Sequence, residues 1–118
     1  MANGYRSLNN NIIGNNNVGN GYRALYSNTS GVKNFASGFY ALTTNTSGSE
    51  NCAIGYLALT LNEASYNTAT GSEALLLNTT GYSNTANGRA SLQQNISGYD
   101  NVALDVVRYI IIQVVLEM

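Results

Sequence analysis

Apolar positions in this chain show no 3.6-residue period. They return every seventeen residues instead. A Leu column holds Leu8, Leu25, Leu42, Leu59, Leu75 and Leu92, and a small-residue column holds Gly19, Ala36, Ala53, Ala69, Ala86 and Ala103. Between them run polar columns of equal regularity. Asn11, Asn28, Asn45, Asn62, Asn78 and Asn95 form one; Asn17, Asn34, Asn51, Asn67, Asn84 and Asn101 form the other. Glycines open each unit at Gly4, Gly21, Gly38, Gly55, Gly71 and Gly88, spaced 17, 17, 17, 16 and 17 residues apart. A second glycine set stands at Gly14, Gly31, Gly48, Gly81 and Gly98. The one unit without a second glycine, containing "LNEASYNTAT", is also the one shortened by a residue, so a single deletion at that turn accounts for both facts.

A fixed internal period of this length is the mark of a repeat architecture. The unit reads G-[YF]-x-A-L-x-x-N-T-S-G-x-x-N-x-A-x, room for about two short strands and two turns. Each unit carries glycine and several β-branched or Asx residues, which disfavours a helical repeat. The prediction is an all-β fold, a parallel β-solenoid of about six 17-residue coils over residues 3–104. The Gly and Asn columns are expected to supply the left-handed turn positions. Stacked Asn amides are expected to hydrogen-bond from coil to coil as structural ladders. Leu8, Leu25, Leu42, Leu59, Leu75 and Leu92, with Ala36, Ala53, Ala69 and Ala86, are the expected core.

One Leu and one or two Ala per coil is a thin interior. Burying a Leu contributes about 1.5–3 kcal/mol, against about 1–2 kcal/mol of backbone entropy per ordered residue. Ladders between coils recover part of the difference. Burial of a second face against copies of the same chain would recover more, and a closed homotrimer is the economical arrangement.

Composition narrows the function. Charged residues are 9 % of the chain and the net charge is −1, so there is no electrostatic footprint for nucleic acid. There is no His and a single cysteine, Cys52, which excludes an intrachain disulfide and the usual zinc and nucleophile–base arrangements. The acidic residues show no evident pairing, and the glycines lack phosphate-loop context. No catalytic residue, metal site or cofactor is expected. The "NTS", "NTT" and "NIS" triplets at Asn28, Asn45, Asn78 and Asn95 are by-products of the repeat. The first twenty residues have no apolar segment of the secretory kind, so the expectation is a piece of a longer exported protein or a phage component.

Two rows invite a binding role. Tyr5, Tyr22, Phe39 and Tyr56 form an aromatic column that lapses at Ser72 and Arg89, either packing or a surface- or glycan-binding stripe. Thr29, Thr46 and Thr79 align, with Ile96 in the same column, a short version of the flat Thr rows that ice binding needs. Residues 105–118 leave the repeat: Asp105 stands where glycine is due, and "VVRYIIIQVVLEM" follows. This β-branched tail is expected to form a strand that caps the last coil, packs in a trimer, or joins subunits end to end.

The segments "NFASGFYAL" (34–42), "NCAIGYLAL" (51–59) and "NTANGRASL" (84–92) resemble the N-x-A-x-G units of trimeric (YadA-like) autotransporter adhesin heads. The longer pattern "ALYSNTSGVKNFASGFYALTTNTSG" looks like a variant found in phage tail fibres and bacterial surface proteins. The resemblance implies a left-handed parallel β-roll with three chains about one axis, and Ala36, Ala53, Ala69 and Ala86 facing inward. It implies a non-enzymatic extracellular rod, on a cell surface or virion tail fibre, attaching to a host, matrix or glycan receptor. The 17-residue unit is longer than the usual adhesin-head unit, so the turns differ. Two other readings stand beside it: a subunit of a self-assembling extracellular filament, and a monomeric ice- or glycan-binding solenoid.

Overall fold

The computed structural model describes residues 1–105. Seven strands form one parallel sheet in chain order: β1 (Ala2–Asn3), β2 (Val18–Asn20), β3 (Phe35–Ser37), β4 (Cys52–Ile54), β5 (Thr68–Thr70), β6 (Thr85–Asn87) and β7 (Val102–Leu104). Each pairs only with its sequence neighbours, in a register that carries every column across intact. Phe35 lies beside Cys52, Ala36 beside Ala53 and Ser37 beside Ile54, and across the shortened unit Cys52 lies beside Thr68. The chain is thus a parallel β-solenoid of six coils, the first opening at Gly4 and the sixth at Gly88. The expectations for the tail concern residues 106–118 and lie outside the described residues. Among the described residues no helix is long and apolar enough to cross a membrane.

Each coil holds one strand of three residues, not two. The rest is a tandem of tight turns. In the second coil Ala24 N–H bonds Gly21 O at 3.2 Å, Tyr26 N–H bonds Arg23 O at 3.2 Å, and Asn28 N–H bonds Leu25 O at 3.2 Å. The third residues of the first two turns, Arg23 and Leu25, have φ of 55° and 52°, the sign that type II turns require there.

This corrects the expected division of labour. The opening glycines do take positive φ, 125–140°. The second glycine set does not, and neither do the twelve Asn of the two columns. The left-handed positions fall instead on the residue two after each opening glycine (Arg6, Arg23, Tyr40, Leu57, Glu73, Ala90), on all six column Leu, and on the residue before the second Asn. A left-handed non-glycine residue costs about 1–2 kcal/mol. Leu25, Leu42, Leu59 and Leu75 offset it by full burial and by a backbone bond to the next coil: Leu25 N–H reaches Ala41 O at 3.0 Å and Leu42 N–H reaches Ala58 O at 3.1 Å.

Packing explains the second glycine set. A Cβ at Gly31 would strike Asn28 Oδ1 and Gly48 O and come within 2.9 Å of Asn34 Nδ2. Glycine is there for space, so that two Asn amides can close on its carbonyl.

The core consists of the Leu column and two small columns. Ala36, Ala53, Ala69, Ala86 and Ala103 form one, and Ala24, Ala41, Ala58 and Ala74 the other, all buried. Leu8 is half-buried and packs against this core from the first coil. At both end coils the second small column carries Ser. Ser7 Oγ donates to Gly19 O at 2.7 Å and Ser91 Oγ to Ala103 O at 3.3 Å. A Cβ on Gly19 would lie 2.6 Å from Ser7 Oγ, whereas the last coil holds Ala103 beside Ser91 with the longer of the two bonds.

The shortened coil is repaired by a side chain. Thr46 O accepts the N–H groups of Thr29, Ser30 and Gly31 from the coil before. One coil later the acceptor is the Glu63 carboxylate, which takes Thr46 N–H at 3.1 Å and Thr46 Oγ1–H at 2.8 Å.

Candidate functional site: the asparagine rows and the aromatic stack

The two Asn rows look alike in sequence and are built differently. In the first row the amides bond one another. Asn28 Nδ2 donates to Asn11 Oδ1 at 2.8 Å, Asn45 to Asn28 at 3.1 Å, Asn62 to Asn45 at 3.4 Å, Asn78 to Asn62 at 2.9 Å and Asn95 to Asn78 at 2.8 Å. Each Nδ2 also closes its own turn, as Asn45 does on Gly48 O at 2.9 Å. In the shortened coil Ala64 O takes the glycine carbonyl's place, receiving Asn62 Nδ2 at 2.8 Å.

The second row bonds side chain to backbone. Asn17 Oδ1 accepts Asn34 N–H at 2.8 Å, Asn34 Oδ1 accepts Asn51 N–H at 2.9 Å, and the pattern repeats through Asn67, Asn84 and Asn101. From Asn17 to Asn84 each Nδ2 donates to the turn carbonyl of the following coil; Asn34 reaches Gly48 O at 2.8 Å and Asn84 reaches Gly98 O at 2.7 Å. Eleven of the twelve column Asn are buried, and Asn11 is half-buried at the first coil. Amides committed in this way have no free edge for a ligand.

The aromatic column is exposed, and its rings lie face to face. Tyr5 and Tyr22 stack at 5.3 Å between centroids, Tyr22 and Phe39 at 5.2 Å, and Phe39 and Tyr56 at 5.5 Å. Stacking covers the ring faces that a sugar would use and leaves edges to solvent. Tyr82 and Tyr99 make a second, shorter stack at 5.0 Å. An arginine that the column pattern passes over stands beside the first stack. Arg23 sits over Tyr26 at 4.8 Å, with Tyr22 and Tyr40 within 6 Å. Its Nε is buried without a hydrogen-bond partner, so the ring contacts hold the cation. The signal was available in the repeat: tyrosines one before and three after Arg23, with Tyr40 one coil on.

The Thr row spends its hydroxyls internally. Thr29 Oγ1 donates to Thr46 O at 3.2 Å, Thr46 Oγ1 to Glu63, and Thr79 Oγ1 to Leu77 O at 3.3 Å. A regular outward hydroxyl lattice is not formed there. Of the acidic residues, Glu73 accepts from Gln93 Nε2 at 2.7 Å, and Glu50 and Asp100 occupy the same column but lie three coils apart along the axis.

Cys52 opens β4 beside Phe35 and Thr68 and is half-buried. Burial pushes its thiol above the ordinary value, and a thiol kept protonated is a slow nucleophile. Alkylation of Cys52 by iodoacetamide at neutral pH is therefore expected to be slower in the native protein than in the urea-unfolded chain. The rate should climb at a more alkaline pH in the native form. Equal rates and equal pH profiles would mean the thiol is not shielded.

No family model, curated protein or solved structure matches this chain.

Proposed function

We propose that this chain is a structural, non-enzymatic segment of an extracellular fibre, a surface adhesin or a phage tail fibre, that holds an attachment tip away from the particle or cell bearing it. One observation carries the reading: both Asn rows run unbroken through all six coils and consume the interior polar groups in coil-to-coil bonds. Such stacking makes a rod whose stability grows with each neighbouring coil, and it leaves the interior amides to structure.

The homotrimer expected from the thin core has a candidate contact face. The outward residues of the sheet include exposed Phe35 and Ile54, beside exposed Phe39 and Tyr56 of the aromatic column. On these rows Arg89 is the one charged residue among the described positions. Aromatic enrichment and charge depletion are what an interface core needs. Light scattering after gel filtration is the test. A mass three times that of the chain, lost on Ile54→Arg with the β-sheet circular dichroism retained, supports the trimeric fibre. A single-chain mass for the unaltered protein contradicts it.

A further inference from the structure

We propose that Arg6 and Arg23 form a binding site for a tetrahedral oxyanion, the chemistry of phosphate or of a phosphate monoester. The two arginines stand in one column on adjacent coils, and Arg23 N–H bonds Tyr5 O at 2.9 Å. Each guanidinium lies against the ring before it in the chain. Arg6 is 5.2 Å from the Tyr5 centroid and Arg23 is 5.8 Å from that of Tyr22. Those rings are the stacked pair that opens the aromatic column. Tyr26 and Tyr40 add contacts to Arg23 at 4.8 and 5.9 Å. The site does not depend on the fibre reading or on the number of chains.

These two cations have no counter-ion in the fold. Residues 1–49 contain no Asp or Glu, and Arg6, Arg23 and Lys33 are their charged side chains. Glu50 stands in the column of Lys33, one coil on, and not in that of the arginines. Glu73 shares the arginine column but lies three coils beyond Arg23 and accepts from Gln93. Neither guanidinium makes a hydrogen bond or ion pair to any described residue. Two adjacent positive charges with no acid in reach give a local positive potential on a chain of net charge −1.

The geometry selects the kind of anion. Arg23 Nε is buried without a partner, whereas its Nη groups, equally unbonded, are not buried. The fork therefore faces outward end-on, held by three rings, and offers two parallel N–H donors to two oxygens of one ligand. A carboxylate would spend both oxygens on Arg23 and leave nothing for Arg6. A tetrahedral group has a further oxygen to turn toward Arg6, which is exposed and one coil away, about 4.8 Å along the axis. Its double negative charge also matches the two cations, since a phosphate monoester is mostly dianionic above its second pKa of about 6.

Nuclear magnetic resonance of the arginine Nε–H groups tests this in the full chain. Sodium phosphate, phenyl phosphate and sodium acetate are titrated separately at slightly alkaline pH, with chloride holding the ionic strength constant. The Arg6 and Arg23 signals should shift together and saturate with both phosphates, at least about tenfold more tightly than with acetate. Tighter binding of phenyl phosphate supports a site for a group carried on a partner; equal binding supports a site for the free ion. Arg6→Ala should weaken phosphate binding at least about fivefold. Ala90 fills the same column with φ 57°, so the variant should keep its β-sheet circular dichroism. Lys33→Ser, at a position that Ser83 fills with φ 54°, removes one positive charge elsewhere and should leave binding unchanged. No saturable shift beyond that of chloride overturns the proposal. So does acetate binding as tight as phosphate, full phosphate affinity in Arg6→Ala, or an equal loss in Lys33→Ser, which would mark diffuse charge in place of a site.

Discussion

Gly55→Ala is expected to destabilise the protein by about 2–5 kcal/mol. Two terms add. Gly55 has φ +138°, where an L residue costs about 1–2 kcal/mol. Its new Cβ would lie 2.5 Å from Gly71 O and 2.6 Å from Gly71 C, and backbone atoms bonded into the next coil cannot step aside; overpacking of this kind costs about 1–3 kcal/mol. A domain of this size has about 5–15 kcal/mol in total, so a melting temperature lower by roughly 10 °C or more should appear in thermal melts followed by circular dichroism. Because the coils are stacked in series, the defect sits at one junction, and the transition should also broaden. A melt superimposable on the parent would mean that the coils do not approach as closely as described.

Asn34→Ala is expected to cost about 2–4 kcal/mol, and more than Asn28→Ala in the neighbouring row. Asn34 Oδ1 is the acceptor for Asn51 N–H, and Asn51 is buried. Removing it leaves a buried backbone donor with nothing to bond, at about 1–3 kcal/mol, plus the lost packing of the amide. Asn28 is equally buried, but no partner is orphaned with it. Gly31 O keeps Asn17 Nδ2 at 2.7 Å, and Asn45 Nδ2 keeps Gly48 O at 2.9 Å. Urea unfolding of the two variants should therefore rank Asn34→Ala below Asn28→Ala in midpoint. The opposite order would mean that the amide ladder, and not the side-chain-to-backbone row, carries the greater load.

That ranking marks the limit of what the sequence discloses. The period, the Leu and Ala columns and the parallel stacking could be read directly, because a column occupied by one residue type in every unit reports a position repeated along an axis. The deletion in the fourth unit was equally legible. The two Asn columns, however, are identical in composition, and nothing in the letters separates an amide that bonds its own kind from one that bonds backbone. The left-handed positions were hidden for a different reason. Glycine and asparagine advertise positive φ, yet here Leu25 and Arg23 adopt it, because burial and a coil-to-coil bond override their local preference. The second glycines were readable as glycines but not as spacers, since their role depends on two amides contributed from elsewhere in the coil stack. The aromatic column could be found but not interpreted: only ring geometry shows that its faces are already covered.

The account rests on buried Asn amides acting as cross-coil girders. The most direct test is hydrogen exchange of the Asn side-chain Nδ2 protons, followed by nitrogen-15 nuclear magnetic resonance. The amides of Asn34, Asn45, Asn67 and Asn78 should exchange far more slowly than those of exposed Asn9 and Asn20, and at rates that rise together when a coil is destabilised. Exchange of the column amides as fast as that of Asn9 and Asn20 would contradict the account, because amides open to water cannot be holding the coils together.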